Sequence, residues 1–274
     1  MHEALIYYMF FKPFISVIIP THSRPLYLRR ALESINLQSF RDKIEVIVVS
    51  DCHDSETCVV ANSLLCQHDI YIRRNGINGP SASRNIGLSV AKGSFLMFLD
   101  DDDSWHPDFL TCLFDYLPIH NHSISYMNSL VVKESRLETG PVFLSEHFLN
   151  VKESLNNNVF LKNQIHMSSF LFSSHIISDL KFDTHMRAYE DWDFQLFAIE
   201  QYFPKHIPIL SSCIYEVDDE TSDRRGASKN ATDFNAVMDY LYVYRRHASP
   251  TTEIAFKRKE LLNSFGLDIP IECL

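Results

Sequence analysis

Glycine is scarce in this sequence, with 7 residues among 274. None of them belongs to a G-x-G-x-x-G or P-loop sequence. Such loops let backbone N–H groups approach a phosphate closely. Their absence removes the main support for a dinucleotide-dependent dehydrogenase or a P-loop nucleotide hydrolase.

Basic residues are also in short supply. Lys and Arg total 25 against 35 Asp and Glu, which gives a formal net charge of -10. A general nucleic-acid binder draws its affinity from surplus cations, so this balance argues against that class. It leaves room for a phosphate-containing ligand, because a few local cations or a metal ion can supply the positive charge.

Paired cysteines are missing, since no two of the six form a C-x-x-C sequence. Scattered thiols indicate a reducing compartment, and their spacing gives little support to a zinc cluster. The cysteines are Cys52, Cys58, Cys66, Cys112, Cys213 and Cys273.

Long apolar runs are absent as well, because no stretch reaches the roughly 18–20 apolar residues that span a bilayer. The apolar run 5–11 lacks the basic start and the cleavage site of a signal peptide. An edge strand or a disordered start is the simpler interpretation of this run, and a membrane-touching segment is the alternative. We therefore expect a cytoplasmic protein.

Short apolar strands alternate with helical patterns through the first hundred residues. This order predicts an α/β fold with a mostly parallel sheet and helices on both faces. Ligands of such sheets bind beyond the carboxyl ends of the strands, so the residues just after each strand are candidates for function. The predicted strands are 14–20, 44–49, 70–72 and 94–99, and the predicted helices begin at Pro25, Ser55 and Ser81.

The pattern is less regular after residue 105, with strands predicted at 125–132 and 168–172 and helices at 189–201, 235–246 and 253–264. With 46% hydrophobic residues, the chain can bury one sizeable core. The predicted organisation is an N-terminal extension (1–13), a catalytic domain (14–218) and a C-terminal loop with helices (219–274). The catalytic domain divides into a donor-binding half (14–105) and an acceptor half (106–218).

Four consecutive aspartates, Asp100 to Asp103, follow the fourth predicted strand. Like charges about 4 Å apart repel by roughly 1 kcal/mol in water and by about 4 kcal/mol at a dielectric of 20. A divalent cation such as Mg²⁺ or Mn²⁺ would offset this repulsion and could bridge to a diphosphate. The alternative is a solvated acidic turn that caps the helix near Pro107.

A segment rich in small residues, 79–87, leads into the third helix and carries Arg84. The helix dipole favours anions at that end, so the dipole does not explain an arginine there. We expect Arg84 to pair with an acid, with the Asp run as a candidate. An ordinary surface arginine is the alternative.

A second acidic motif, Glu190-Asp191-Trp192-Asp193, opens a predicted helix. Acids in a first turn are favoured by the helix dipole, so simple capping is one interpretation. A carboxylate beside bulky rings can also have its pKa raised, which suits a general base.

Taken together, these segments resemble the family 2 glycosyltransferases, which share the GT-A fold. The resemblance implies a Rossmann-like GT-A domain, here with a C-terminal helical extension, and covers somewhat under half of the chain. It rests on five segments in order, 16–21 (SVIIPT), 45–51 (EVIVVSD), 81–87 (SASRNIG), 98–105 (FLDDDDSW) and 190–193 (EDWD).

The resemblance implies an inverting transferase that moves a sugar from a nucleotide-sugar donor to an acceptor hydroxyl. Asp191 would be the catalytic base, Asp102 the main ligand of Mn²⁺ or Mg²⁺ with Asp103 as a second candidate, and Asp51 the acid that reads the base. A UDP-sugar is the favoured donor and a dTDP-sugar the next. The candidates for donor binding are Pro20, Thr21, Arg24, Asp51, Arg84, Asp100 and Asp101, and the further candidates are Glu190, Arg224 and Arg225.

The sequence also departs from the family pattern. Where the family often has two acids followed by Gly-Ser, this chain has Ser50-Asp51-Cys52-His53. No Q-x-x-R-W sequence follows the second acidic motif, which argues against a processive polysaccharide synthase. Two rivals remain open, a sugar-nucleotide nucleotidyltransferase and a non-catalytic glycan-binding protein on a transferase fold.

The expected acceptor is a glycan or a lipid-linked glycan, used in surface glycan or polysaccharide synthesis. A basic stretch from Arg245 to Lys259 could contact anionic lipid at the inner membrane face. A solvated helix face is the favoured alternative for that stretch. No nucleic-acid partner is expected.

Overall fold

A computed structural model describes residues 12–116, 122–137, 139–177, 180–186, 188–217 and 234–274. The strands are β1 (Ile15–Thr21), β2 (Ile44–Ser50), β3 (Ile70–Arg73), β4 (Phe95–Phe98), β5 (Ser104–Trp105), β6 (Ile124–Leu137), β7 (Gly140–Leu149), β8 (Phe170–Ser173) and β9 (Lys205–Val217). The helices are α1 (Pro25–Asn36), α2 (Ser55–Leu64), α3 (Pro80–Val90), α4 (Phe109–Tyr116), α5 (Ser174–Ile177), α6 (Glu190–Gln201), α7 (Phe234–Arg246) and α8 (Thr252–Ser264). Most of the predicted N-terminal extension lies outside the described residues.

The first half of the sheet is parallel, as the sequence predicts. β1 lies between β2 and β4, and β3 continues the sheet beyond β2, all in parallel register. Every residue of β1 and β2 is buried, because helices cover both faces of these strands. The predicted α/β fold class is confirmed.

The second half of the sheet is mixed. β8 runs antiparallel to both β4 and β6, while β6 pairs in parallel with β9. β5 and β7 add antiparallel edges beside β9 and β6. The described strands thus form one sheet in the order β3-β2-β1-β4-β8-β6-β9-β5, with β7 paired to β6.

Alternate residues of β1 face opposite layers of helices. Val17 and Ile19 pack in a cluster with α1 and α2, whereas Ile18 packs in a second cluster with α3 and α6. A Cβ atom on Gly87 of α3 would lie 2.4 Å from Cγ2 of Ile18. Glycine at this position lets α3 approach the sheet closely, which sets the position of Arg84 one turn earlier.

The C-terminal helices α7 and α8 pack against α6 through a third apolar cluster. Its buried members include Trp192 of α6, Tyr244 of α7 and Leu262 of α8. This contact fastens the C-terminal extension to the helix that begins with the second acidic motif.

Arg258 of α8 is fully buried at the centre of this extension. Its guanidinium donates to the backbone carbonyl oxygens of Phe160, His247 and Leu274, each 2.8 Å away. The side chain therefore joins the end of α7, a turn near residue 160 and the last residue of the chain.

Both interpretations of the basic stretch, lipid contact and a solvated helix face, are wrong for Arg258, because its side chain faces the interior. Two other basic residues of the stretch form ion pairs within the protein. Arg246 lies 2.8 Å from Asp193, and Lys259 lies 3.2 Å from Asp268. Within the described ranges, no helix is long and apolar enough to cross a bilayer.

We predict that Arg258→Met destabilises the protein by about 2–4 kcal/mol, because buried carbonyl oxygens lose their donors. The matched surface variant Lys259→Met removes one positive charge from the adjacent position and should change the stability by less than about 0.5 kcal/mol. Urea unfolding followed by circular dichroism measures both. Equal midpoints for the two variants would contradict this role of Arg258.

Candidate active site

The four aspartates after β4 point alternately inward and outward. Asp101 and Asp103 are both 5% exposed. Asp101 accepts hydrogen bonds from the hydroxyl of Thr21 at 2.7 Å and from Arg24 at 3.3 Å. Asp103 accepts one from the hydroxyl of Ser168 at 2.8 Å, and another from a backbone N–H of β9. These two carboxylates anchor the loop to β1 and to the second half of the sheet.

Asp100 and Asp102 face outward from the same loop. Their side chains are 42% and 19% exposed. Asp102 forms ion pairs with Arg136 at 3.0 Å and with Arg24 at 3.4 Å. The two accessible carboxylates offer the hard oxygen ligands that Mg²⁺ and Mn²⁺ prefer, so the residues fit such a cation. This geometry favours Asp100 and Asp102 over the buried Asp103 as ligands.

Arg84 connects the Asp run to the second acidic motif. The residue is 3% exposed. One terminal nitrogen lies 2.7 Å from Asp100, and the other lies 2.9 Å from Glu190 at the start of α6. The predicted pairing of Arg84 with the Asp run is confirmed. Its second partner, Glu190, comes from a segment 106 residues further along the chain.

The three acids of the second motif serve different neighbours. Glu190 faces Arg84, whereas Asp193 is fully buried on the side of the C-terminal extension. Asp193 lies 2.8 Å from Arg246 and 3.1 Å from His247. Asp191, between them, accepts hydrogen bonds from two other neighbours.

Asp191 sits in the first turn of α6, two residues after a strained position. Tyr189 caps this helix in the left-handed conformation, with φ of 61°. The carboxylate of Asp191 accepts hydrogen bonds from the side chain of Asn163 at 3.1 Å and from the N–H of Trp192 at 2.8 Å. Burial and the charge of Glu190 raise the pKa of Asp191 to about 7, although Arg84 opposes them. A carboxyl group that titrates there can accept a proton near neutral pH.

Asp51 lies at the end of β2, beside the end of β1 that carries Pro20 and Thr21. One of its oxygens accepts the N–H of Gly79 at 2.6 Å and lies 3.4 Å from Arg74. Its other oxygen lies 2.5 Å from Nδ1 of His22. The carboxylate therefore holds the loop before α3 in place.

The structure thus brings together most of the residues singled out in the sequence. The ends of β1, β2 and β4, the start of α3 and the start of α6 share one edge of the sheet. Arg224 and Arg225 lie outside the described residues.

Two contributors, Arg136 and Asn163, belong to no sequence motif, and only their contacts with acids reveal them. Two more, His22 and Arg74, directly follow β1 and β3, where candidates for function were expected, but no motif assigned them a role. The buried guanidinium of Arg74 beside Asp51 is the signal that the structure adds.

A family model described as Glycosyl transferase family 2 matches residues 16–175. The chain belongs to this family. A Campylobacter jejuni protein named GalNAc(5)-diNAcBac-PP-undecaprenol beta-1,3-glucosyltransferase is 28% identical over 233 residues, which cover 84% of this chain and 72% of the relative.

Solved structures share the fold. Staphylococcus aureus TarS 1-349, in complex with UDP-GlcNAc, superimposes with a TM-score of 0.63 at 19% identity, covering 91% of this chain and 72% of TarS. The mannosyltransferase PcManGT from Pyrobaculum calidifontis, in complex with GDP-Man and Mn²⁺, has a TM-score of 0.60 at 15% identity, covering 96% of this chain and 80% of the other. The GT-A fold expected from the sequence is confirmed by these two likenesses.

We predict that Asp101→Asn stabilises the protein more at pH 8 than at pH 4.5, by about 1–3 kcal/mol. Burial raises the pKa of Asp101 to about 6, against the pull of Arg24. In the unfolded chain an aspartate has a pKa near 4. The protonated carboxyl of Asp101 therefore stabilises the fold fully below about pH 4, and this contribution is lost as the pH rises through about 6.

Urea unfolding at the two pH values measures this difference. Asp42→Asn, which removes the same charge from an exposed side chain, controls for net charge. A stability difference that does not vary with pH would contradict the effect of burial on Asp101.

Proposed function

We propose that this family 2 member is an inverting glycosyltransferase that moves a sugar from a UDP-sugar to an acceptor hydroxyl. The observation that carries the proposal is the buried Arg84, which brings the accessible Asp100 of the Asp run and the acidic start of α6 to one place. The first suits a metal-bound diphosphate, and the second suits proton transfer. Family membership favours this reading over a nucleotidyltransferase.

Asp191 is the proposed base. Its carboxylate accepts the proton of the acceptor hydroxyl. The acceptor oxygen then attacks the anomeric carbon from the side opposite the nucleotide. The bond from the anomeric carbon to the diphosphate breaks, and the electron pair leaves with the nucleoside diphosphate. A single displacement of this kind inverts the configuration at that carbon.

Asp100 and Asp102 would hold the divalent cation. When bound, Mn²⁺ or Mg²⁺ supplies positive charge that stabilises the departing diphosphate. One terminal nitrogen of Arg84 orients Asp100 and the other orients Glu190. Arg84 would thereby keep the proposed donor and acceptor ends of the site aligned. The two terminal nitrogens of a guanidinium can bind two acids at once. The single ammonium group of lysine lacks this planar fork, so lysine would not replace Arg84 here.

Asp51 is the proposed contact for the nucleotide base. The imide N–H of uracil can donate to the oxygen that faces His22, an exposed side chain that can turn aside. Thymine presents the same edge, so a dTDP-sugar is the nearest competitor. Pro20, Thr21 and Arg24 lie along the same edge and complete the proposed donor pocket.

The proposed acceptor is a lipid-linked glycan. The name of the Campylobacter relative includes a diphosphate-linked undecaprenol, which supports this class of acceptor. The enzyme would then work at the inner membrane face as a peripheral protein. The division into donor half, acceptor half and C-terminal extension remains a prediction.

We predict that Asp191→Asn lowers sugar transfer by about 10²–10⁴-fold, the usual contribution of a general base, while UDP affinity stays near that of the wild type. The wild-type rate should rise with pH, reach half of its maximum near pH 7 and level off above about pH 8, because only ionised Asp191 accepts a proton. Radiolabelled donor transferred to acceptor across a pH series gives both quantities.

Glu190→Gln is the matched variant in this series. Its lost charge lowers the pKa of Asp191, so its rate should rise at a lower pH than that of the wild type. Near-normal transfer by a folded Asp191→Asn protein would remove Asp191 as the base.

We also predict that UDP binds at least tenfold more tightly with Mn²⁺ than with EDTA, and more tightly than GDP does. Asp102→Asn should lose most of the gain from Mn²⁺, because it removes an accessible ligand. Asp103→Asn is the matched control and should retain the gain, since the asparagine oxygen can accept the backbone N–H of β9 and its amide N–H can donate to the hydroxyl of Ser168. Calorimetry measures each affinity. Equal UDP affinities with and without Mn²⁺ would contradict the metal role.

A further inference from the structure

Three side chains of different chemistry meet beside the proposed base pocket. They are His22, Asp51 and Cys52, each of which offers one ligand atom within 4.8 Å of the others. In the part of the chain that the structure describes, no other group of three such residues meets this spacing. Their loops follow β1 and β2, which are parallel neighbours in the sheet.

We propose that His22, Asp51 and Cys52 form a binding site for a zinc-class cation, separate from the site at Asp100 and Asp102. Imidazole nitrogen, thiolate sulfur and carboxylate oxygen are the ligands that Zn²⁺ prefers in proteins. Mn²⁺ and Mg²⁺ prefer oxygen ligands alone. The chain therefore offers two cation sites of opposite preference along one sheet edge.

The supporting contacts suit metal ligation. Asp51 is held by Gly79 and Arg74 through one oxygen, which leaves the oxygen that faces His22 for a cation. The sulfur of Cys52 receives the backbone N–H and the hydroxyl of Ser23, both at 3.2 Å. Donors of this kind orient a thiolate and stabilise its charge.

A modest movement of one side chain completes the geometry. Tetrahedral ligands at about 2.0–2.3 Å from zinc lie roughly 3.3–3.8 Å from one another. Nδ1 of His22 lies 2.5 Å from the Asp51 oxygen, so the His22 side chain, which is 49% exposed, has to move outward to reach this separation, whereas the Asp51 side chain is 4% exposed and fixed. Three protein ligands leave the fourth position to water, as in open zinc sites.

Ligation has a defined proton balance. The thiol of Cys52 releases its proton to solvent as the metal–sulfur bond forms, and His22 binds through a neutral ring nitrogen. No oxidant or reductant is required. A cation bound to Asp51 would occupy the oxygen assigned to uracil, so it would compete with the donor. This last consequence rests on the proposed function, whereas the site itself does not.

Titration of the full chain with Co²⁺, a spectroscopic substitute for zinc, tests the site without any nucleotide. The wild type should bind one equivalent with the near-ultraviolet charge-transfer band of a cobalt–thiolate bond, and Zn²⁺ should displace it. Cys52→Ser should lose the band, and His22→Asn should bind at least tenfold more weakly. Cys66→Ser, which removes an exposed thiol outside the cluster, should behave as the wild type.

The absence of the band in the wild type, or its persistence in Cys52→Ser, would overturn the proposal. In either case the contact between His22 and Asp51 would be only a hydrogen bond. Competition is tested separately, by UDP calorimetry in excess Mn²⁺ with and without Zn²⁺. Zinc should weaken UDP binding to the wild type by at least fivefold more than to Cys52→Ser. An equal effect on both would overturn the competition alone, and a failure of UDP to bind would count against the proposed function instead.

Discussion

The buried guanidinium of Arg84 is the interaction on which the site depends. A cation with 3% exposure is stable only if acids compensate its charge, and its two partners come from the loop after β4 and from α6. If either acid were lost, a buried charge would be left without its partner. The ion pairs therefore hold the loop after β4 and the start of α6 in one arrangement, and α3 must lie close enough to the sheet for Arg84 to reach both.

The acids around Arg84 show how function and stability are balanced. Asp101 and Asp191 are buried enough to have raised pKa values, and Tyr189 holds a strained backbone conformation just before Asp191. Each of these features costs folding free energy. The large apolar clusters on both faces of the sheet, and the third cluster that fastens the C-terminal helices to α6, offset that cost. Asp193 contributes to the same fastening through Arg246 and His247, so the helix that carries Asp191 is fixed at its outer side.

Two arginines form ion pairs with Asp102, one of the proposed cation ligands. Arg24 and Arg136 both lie within 3.4 Å of the Asp102 carboxylate, and Arg136 also reaches Glu134. The outward aspartates are thus surrounded by cations as well as by acids. This environment suits a ligand that carries both a metal ion and phosphate groups, which is the chemistry expected of a nucleotide-sugar.

The sequence by itself determined the alternation of strands and helices, since buried parallel strands are short apolar runs and the helices carry an apolar periodicity. It also placed Asp51 and the Asp run at one edge of the sheet, because residues after parallel strands gather there. The acidic start of α6 was assigned to the same site only through the family resemblance. The sequence predicted an acidic partner for Arg84 because the helix dipole does not favour a cation there. The sequence could not decide which way each aspartate side chain points. Four adjacent aspartates read alike in a sequence, yet the path of the loop turns Asp101 and Asp103 inward and Asp100 and Asp102 outward. Only the tertiary structure showed that Glu190 reaches Arg84, that Arg258 is buried rather than facing a membrane, and that His22 meets Cys52. These contacts join residues far apart in the chain, so their formation depends on packing between layers rather than on any local pattern.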